Sequence, residues 1–429
     1  MRDIGTNAIR PPMLLSGQRI GDYTIGFCIF ISGFVIREPA PYDLVMVAVI
    51  AIWALCGLRI RSEIGPLTVL FLLYMAGGCL AVTQVTAWDK APLYMAVSGF
   101  LVLTSIFFAS IVSDQPSRLA LIEKSYIAAA VVVSLIAVLA YFRLIPGAEN
   151  FIRYSRAMGT FQDPNVYGPF CVLPTIFLFR RILTGSVSKI LPLLPLFGII
   201  MLGIFLAFSR AAWGLTAFSF LFVSLLTFVN ETNSLKRLRL IGLAVAGLVM
   251  LIFLIAFALS LDSVSSLFAE RAKLVQDYDG GHLGRFARFA LGFELVMQTP
   301  LGIGPLEFWK LFTEDPHNIY LKGFIAYGWI GGISYLILVI WTLAALFPLL
   351  FKPRPWQSYA VCVFAVLLGH CMIGMIIDTD HWRHVYLLYG LAWGMIAAEK
   401  LWQKKHLSRG MPTHQRNRQN TAQPLAKYL

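Results

Sequence analysis

The feature that most constrains this chain is a succession of long apolar runs separated by short polar connections, from about residue 22 to residue 401. A helix needs about 20 mostly apolar residues to cross the hydrocarbon core of a bilayer. Twelve stretches approach that requirement: 22–36, 42–60, 66–86, 92–113, 121–142, 166–183, 190–208, 211–229, 238–261, 318–347, 357–377 and 384–401. Composition agrees, with 58% hydrophobic and 13% charged residues, against roughly 45–50% and about 25% in a soluble domain. No water-soluble core absorbs that excess. The expected fold is an all-α integral membrane protein of about twelve transmembrane helices.

An even number of spans puts both termini on one side, and the basic residues indicate which. With the N-terminus inside, the inner loops and tails hold 22 Lys/Arg and 7 acids, and the outer segments 13 Lys/Arg and 15 acids. Inner loops are the ones that accumulate Lys and Arg, so both termini are expected in the cytoplasm. The net charge of +13 would suggest nucleic acid in a soluble protein. Here loop orientation accounts for it, and the expected partner is the bilayer, with no nucleic acid.

The expected organisation is an N-terminal bundle of about nine spans over 1–261, a long outer loop over 262–317, C-terminal helices over 318–401, and a disordered basic tail over 402–429. The six cysteines lie in apolar runs with no CxxC pair, so they read as small core residues. The stretch before Gly21 lacks the apolar core of a cleavable signal, and the first span is expected to serve as its own uncleaved signal.

The long outer loop carries its own pattern. Phe286, Phe289, Phe293 and Met297 recur at helical spacing, Arg285, Arg288 and Gly292 lie on an adjacent flank, and Pro300, Gly302, Gly304 and Pro305 end the pattern. This predicts an amphipathic helix at the membrane surface. Its arginines fit two readings: snorkelling toward lipid phosphates, or a guanidinium clamp on a phosphorylated substrate.

Other cations sit on the side that the orientation rule depletes: Arg153, Arg156, Arg210, Lys322 and Arg383. Arg210, in Phe208-Ser209-Arg210-Ala211-Ala212-Trp213, occupies a hinge too short to carry it far from the bundle. Ionisable groups at such depth are costly and point to function, although an interface anchor is the plainer alternative. His317, in Asp315-Pro316-His317-Asn318, precedes a span at a helix start. It reads as an interface residue or as a base that works near neutral pH. His381 and His384 form a second outer cluster whose spacing matches no metal site.

Together these residues resemble a known family. His317-Asn318, followed after nine residues by Gly328-Trp329-Ile330-Gly331, is similar to the histidine signature of bacterial O-antigen ligases and Wzy-type polysaccharide polymerases. Thr299-Pro300-Leu301-Gly302-Ile303-Gly304 resembles that family's segment before the histidine. Ser209-Arg210 resembles its membrane arginine, and Gly159-Thr160-Phe161-Gln162-Asp163-Pro164-Asn165 its mid-chain loop.

The resemblance implies an inverting, metal-independent glycosyltransferase of the bacterial inner membrane with a periplasmic active site and no cofactor. Its donor would be a glycan on undecaprenyl diphosphate. Its acceptor would be lipid A-core for a ligase, or a growing glycan for an O-antigen or exopolysaccharide polymerase. By the same correspondence Arg210 and Arg288 meet the diphosphate and His317 positions or deprotonates the acceptor hydroxyl. Arg285, Arg153, Arg156 and Asn318 are further substrate contacts, while Asp163 and Asn165 fix a turn and cap a helix. A lipid-linked sugar transporter is a second class, disfavoured because the unusual charges gather at one face without repeats. A scaffold protein leaves the outer arginines without explanation. A metal-dependent transferase would draw on Asp277, Asp279, Glu314, Asp315, Asp378 or Asp380.

Overall fold

The computed structural model describes residues 17–86, 88–260, 265, 284–312 and 314–410. The described chain is mostly helical. Its helices are α1 (Gly17–Ile31), α2 (Pro41–Leu55), α3 (Gly65–Val82), α4 (Ala91–Asp114), α5 (Arg118–Tyr141), α6 (Pro164–Phe170), α7 (Val172–Thr184), α8 (Leu193–Leu206), α9 (Arg210–Asn230), α10 (Ser234–Leu259), α11 (Arg285–Gln298), α12 (Phe308–Phe312), α13 (Ile319–Leu346), α14 (Gln357–Ile373) and α15 (Arg383–Gly410). A two-stranded hairpin, β1 (Ile152–Arg153) with β2 (Arg156–Ala157), precedes α6.

Each predicted span falls on helix. Six segments are long and apolar enough to cross a membrane: Ser62–Val82, Ala91–Asp114, Arg118–Tyr141, Pro164–Thr184, Arg210–Asn230 and Ile319–Leu350. The shorter apolar helices are Pro41–Leu55, Leu193–Leu206 and Gln357–Ile373. The departures have local causes. The span expected over 42–60 stops at Leu55, where Gly57 turns left-handed at φ 89°. The span expected over 166–183 divides at Cys171, between Pro169 and Pro174.

Helix α15 runs nine residues beyond the expected end of its span, to Gly410. Arg354 stacks over the Trp402 ring at 3.3 Å, and Gln403 donates to Glu399 at 2.7 Å. The rest of the tail, residues 411–429, and most of the long loop, including Asp277 and Asp279, lie outside the described residues.

Small residues set the closest helix approaches. In a bilayer, helices gain from backbone proximity more than from apolar burial. A Cβ on Gly77 of α3 would stand 2.4 Å from the Tyr327 carbonyl oxygen and 2.6 Å from the Gly331 nitrogen of α13. A Cβ on Gly390 of α15 would stand 2.7 Å from the Ser105 carbonyl oxygen of α4.

The contacts sort the helix termini into two ends. Leu215 in the first turns of α9 packs on Gly369 near the end of α14, and the Ile319 N–H at the start of α13 donates to the Gly374 carbonyl at 2.8 Å. Tyr94 at the start of α4 meets Asp380, and Asp43 at the start of α2 meets Arg383. Arg210 and His317 therefore lie at the same end of the bundle. The opposite end carries Arg61–Asp114, Arg118–Asp22, Arg181–Glu123, Arg354–Glu399 and Lys404–Glu63.

Candidate active site

Asn318 builds the histidine's surroundings. Its side-chain oxygen accepts from the Tyr320 and Leu321 N–H groups, both at 3.0 Å, so it caps α13 and satisfies two of the donors that a helix start leaves open. The preceding residue, His317, is in the left-handed region at φ 50°. That conformation is uncommon for a residue with a Cβ and persists only where its surroundings enforce it. The half-buried His317 imidazole has its Nε2 4.0 Å from the Glu314 carboxylate.

The same carboxylate receives Arg288 Nη1. Arg288 belongs to α11, the amphipathic helix that the spacing predicts. Its side chain is only 4% exposed and its Nε faces no hydrogen-bond partner among the described residues, which argues against snorkelling. The structure thus joins Arg288 to His317 through Glu314. From sequence alone Glu314 reads only as a possible metal ligand. Arg285 opens α11 and enters the description by its backbone alone.

The apolar face of α11 does not lie idle. Phe289, Phe293, Val296 and Met297 line a groove of about 440 Å³ with Leu321, Phe324, Trp329 and Ile333 of α13, and Asn318 and Tyr320 border the same groove. One wall ends beside His317, and the other carries Arg288 on an adjacent flank.

The two glycine-rich motifs meet each other. Gly328 interrupts α13 at φ 65°, ψ −175°, and its neighbour Trp329 donates its N–H to the Pro300 carbonyl at 2.8 Å. The Ile303 N–H donates to the Ile325 carbonyl at 2.9 Å, and a Cβ on Gly302 would stand 2.6 Å from that same oxygen. The segment after α11 therefore crosses the kink of α13 backbone to backbone, and glycine is needed because a Cβ has no room there.

Arg210 is the first residue of α9, half-buried, behind a cap in which Ser209 Oγ accepts from the Ala212 N–H at 3.4 Å. Phe208, buried and left-handed at φ 45°, makes the turn out of α8. Arg156 braces this hinge: its Nε donates to the Ala207 carbonyl at 2.8 Å and its Nη2 to Asn165 Oδ1 at 2.7 Å. Asp163 caps α6 by accepting from the Asn165 N–H at 2.7 Å, as its position in the turn predicts. Arg153 is exposed, donates to the Gln162 carbonyl at 2.8 Å and lies over the Tyr154 ring at 5.1 Å.

Beside His317 lies a buried charged cluster that the sequence reading did not assemble. Lys322 Nζ of α13 meets Asp378, and stands 3.5 Å from Asp380 and 3.4 Å from Asp315. Three of the acids considered for a metal thus converge on an ammonium group. Burial, reinforced by neighbouring Asp380, pushes the Asp378 carboxyl up to about 7. Burial also opposes ionisation of Asp380, but Lys322 and His381 outweigh it and hold that carboxyl below the usual range.

His381 and His384 diverge. His381 Nε2 pairs with Ser98 Oγ at 2.9 Å, and burial holds its imidazole below the ordinary histidine range. His384 packs against Trp382 and His370. Asp-x-Asp at the mouth of a span, with a lysine one turn inside another, was the available signal for the cluster.

No curated protein matches the chain. The model of a family described as O-antigen ligase matches residues 195–336. That third of the chain runs from α8 into α13 and contains Arg210, Arg288, Glu314, His317, the 299–304 crossing and the Gly328 kink. The segment that supplies Arg210, Arg288 and His317 is therefore the part of the chain that is similar to that family.

Proposed function

We propose that the protein is an inner-membrane glycosyltransferase that moves a glycan from undecaprenyl diphosphate to an acceptor hydroxyl at the periplasmic face, with lipid A-core as acceptor. The observation that carries this reading is the buried Arg288 guanidinium joined through Glu314 to His317, at the border of an apolar groove. A lipid-linked diphosphate matches that combination, with its isoprenoid chain in the groove and its anion toward Arg288. The domain match supports it. The distribution of Lys and Arg supports an orientation with both termini in the cytoplasm.

In the proposed reaction the acceptor oxygen attacks the anomeric carbon from the face opposite the diphosphate. The new C–O bond forms as the bond to the diphosphate oxygen breaks, which inverts the configuration. His317 takes the hydroxyl proton. The bond electrons leave with the diphosphate, whose growing charge Arg288 and Arg210 stabilise. Arg285 and Arg153 are assigned to the glycan or the anion. Asn318 holds the His317 end of α13, and Arg156 holds the hinge before Arg210. No metal takes part in this scheme, and activity that falls in EDTA and returns with magnesium or manganese would refute that element.

The deciding experiment is deletion of the gene in its host, with glycolipids resolved on a gel and complementation by wild type and His317→Ala. Bare core with long glycan stranded on the carrier identifies a ligase. Core bearing single units, or loss of long exopolysaccharide with short carrier-linked units, identifies a polymerase, the second reading, which uses the same donor. Full complementation by His317→Ala would sink the mechanism.

A further inference from the structure

His317 holds an unfavourable backbone conformation, and something must enforce it. On one side, two residues before it, Asp315 is tied to Lys322 Nζ at 3.4 Å. The same ammonium is tied to Asp378 and, at 3.5 Å, to Asp380, both in the connection between α14 and α15. On the other side, two residues after His317, the Ile319 N–H is bound to the carbonyl of Gly374, which opens that same connection. The chain therefore reaches the 374–380 connection once before His317 and once after it. Lys322 makes the first tie, and a backbone bond makes the second.

The hub is itself held firmly. Lys322 is 9% exposed, its Nζ lies 5.6 Å from the Tyr94 ring centroid, and Tyr94 donates its hydroxyl to Asp380. His381, next along, is anchored to Ser98 at 2.9 Å. A buried lysine among three carboxylates is an expensive arrangement against an apolar alternative. Asp315 is the least buried of the three acids, with a quarter of its side chain exposed.

We propose that Lys322 is a positioning residue for His317, acting through Asp315 to hold the imidazole in place for the acceptor hydroxyl. The inference rests on the catalytic role given to His317 above. Lys322 touches no substrate in this scheme; its ammonium closes a bracket whose other arm is the Ile319–Gly374 bond.

The test uses the full-length protein in detergent, with an undecaprenyl-diphosphate-linked glycan as donor, and reads kcat separately from donor KM. Asp315→Asn cuts only the tie on the His317 side. It is expected to lower kcat by about 10- to 100-fold, the scale on which a displacement near 1 Å acts, with donor KM changed less than about threefold. Lys322→Arg, which keeps the charge, is expected to stay within about threefold of wild type, since a longer cation still reaches the carboxylates.

Lys322→Met leaves carboxylates uncompensated, so it is paired with Asp378→Asn. This double variant should fold and remain as slow as Asp315→Asn. The proposal is overturned if either folded variant keeps kcat within twofold of wild type, or if the loss lies in KM. It is overturned too if both variants unfold, which assigns the cluster to stability alone. His317→Ala in the same assay separates the two levels. If it is active, the function proposed above fails; if it is inactive while Asp315→Asn is fully active, only the role of Lys322 fails.

Discussion

The two ends of this helix bundle use the same residue types in opposite ways. At the end away from His317, Arg61 pairs with Asp114 at 2.7 Å with side chains 31% and 48% exposed, and Lys404, 67% exposed, reaches Glu63. The Arg61–Asp114 pair contributes little, because water already solvates both partners, whereas the Glu63 side chain is only 7% exposed under its lysine. At the His317 end, Arg288 and Lys322 are buried to 4% and 9% exposure with their carboxylates around them.

The backbone draws the same contrast. Among the described residues, six non-glycine residues are left-handed: Arg143, Tyr154, Ser155, Phe208, Leu306 and His317. All six lie in connections at the His317 end. At the opposite end the left-handed turn after α2 is made by Gly57, which adopts it without cost. Carboxylates are buried at both ends, Glu123 and Glu399 among them at the far end, and the His317 end adds deeply buried cations and backbone strain where chemistry is proposed.

That contrast can be broken by substitution. The largest effect is expected for His317→Ala, with kcat lowered by about 100-fold or more in a donor-to-acceptor assay at unchanged protein abundance. Arg210→Ala and Arg288→Ala should each lower kcat by roughly 100- to 1000-fold, the scale for removing one charge-stabilising group. Retention of wild-type rates in both would move the anion site elsewhere.

Gly328→Ala should lower thermal stability in detergent by about 2 kcal/mol or more, because it adds a left-handed Cβ in crowded space, 2.7 Å from the Leu301 carbonyl oxygen. Ser155→Gly, at an exposed left-handed position, should raise stability by about 1 kcal/mol, with activity unaltered if the hairpin strain is incidental. A fall in activity there would extend the site to the β1–β2 hairpin. The smallest effect is expected for Arg61→Ala at the far end, within about twofold in rate and about 0.5 kcal/mol in stability.

Legibility from sequence followed the same division. Apolar length located the helices, because a bilayer imposes it on any chain that crosses. Periodicity also placed α11, with Phe289, Phe293 and Met297 on the groove face. The Asp163 cap was readable because that residue type serves helix starts, whereas Asn318, expected as a substrate contact, is seen capping α13. Three features were not readable. The left-handed turn at His317 is flanked by ties to the distant connection between α14 and α15. The Lys322 cluster joins helix α13 to two connections, and its acids look equally suited to a metal. Arg156 appeared as a substrate cation, yet it grips the carbonyl end of α8. Each is a matter of tertiary meeting, which spacing along one helix does not encode.

The crossing of residues 299–304 over the Gly328 kink bears on how the spacing of the candidate residues is kept. Its joints are main-chain hydrogen bonds, from Trp329 to Pro300 and from Ile303 to Ile325. Two glycines give them room, and the Trp329 indole N–H adds a side-chain bond to the Val296 carbonyl at 2.9 Å. Arg288 and His317 are thereby carried on one main-chain frame. Neighbouring positions can drift in sequence without altering the spacing between anion seat and base. In the proposed reaction, that would keep the anion seat and the base at one spacing whichever acceptor is used.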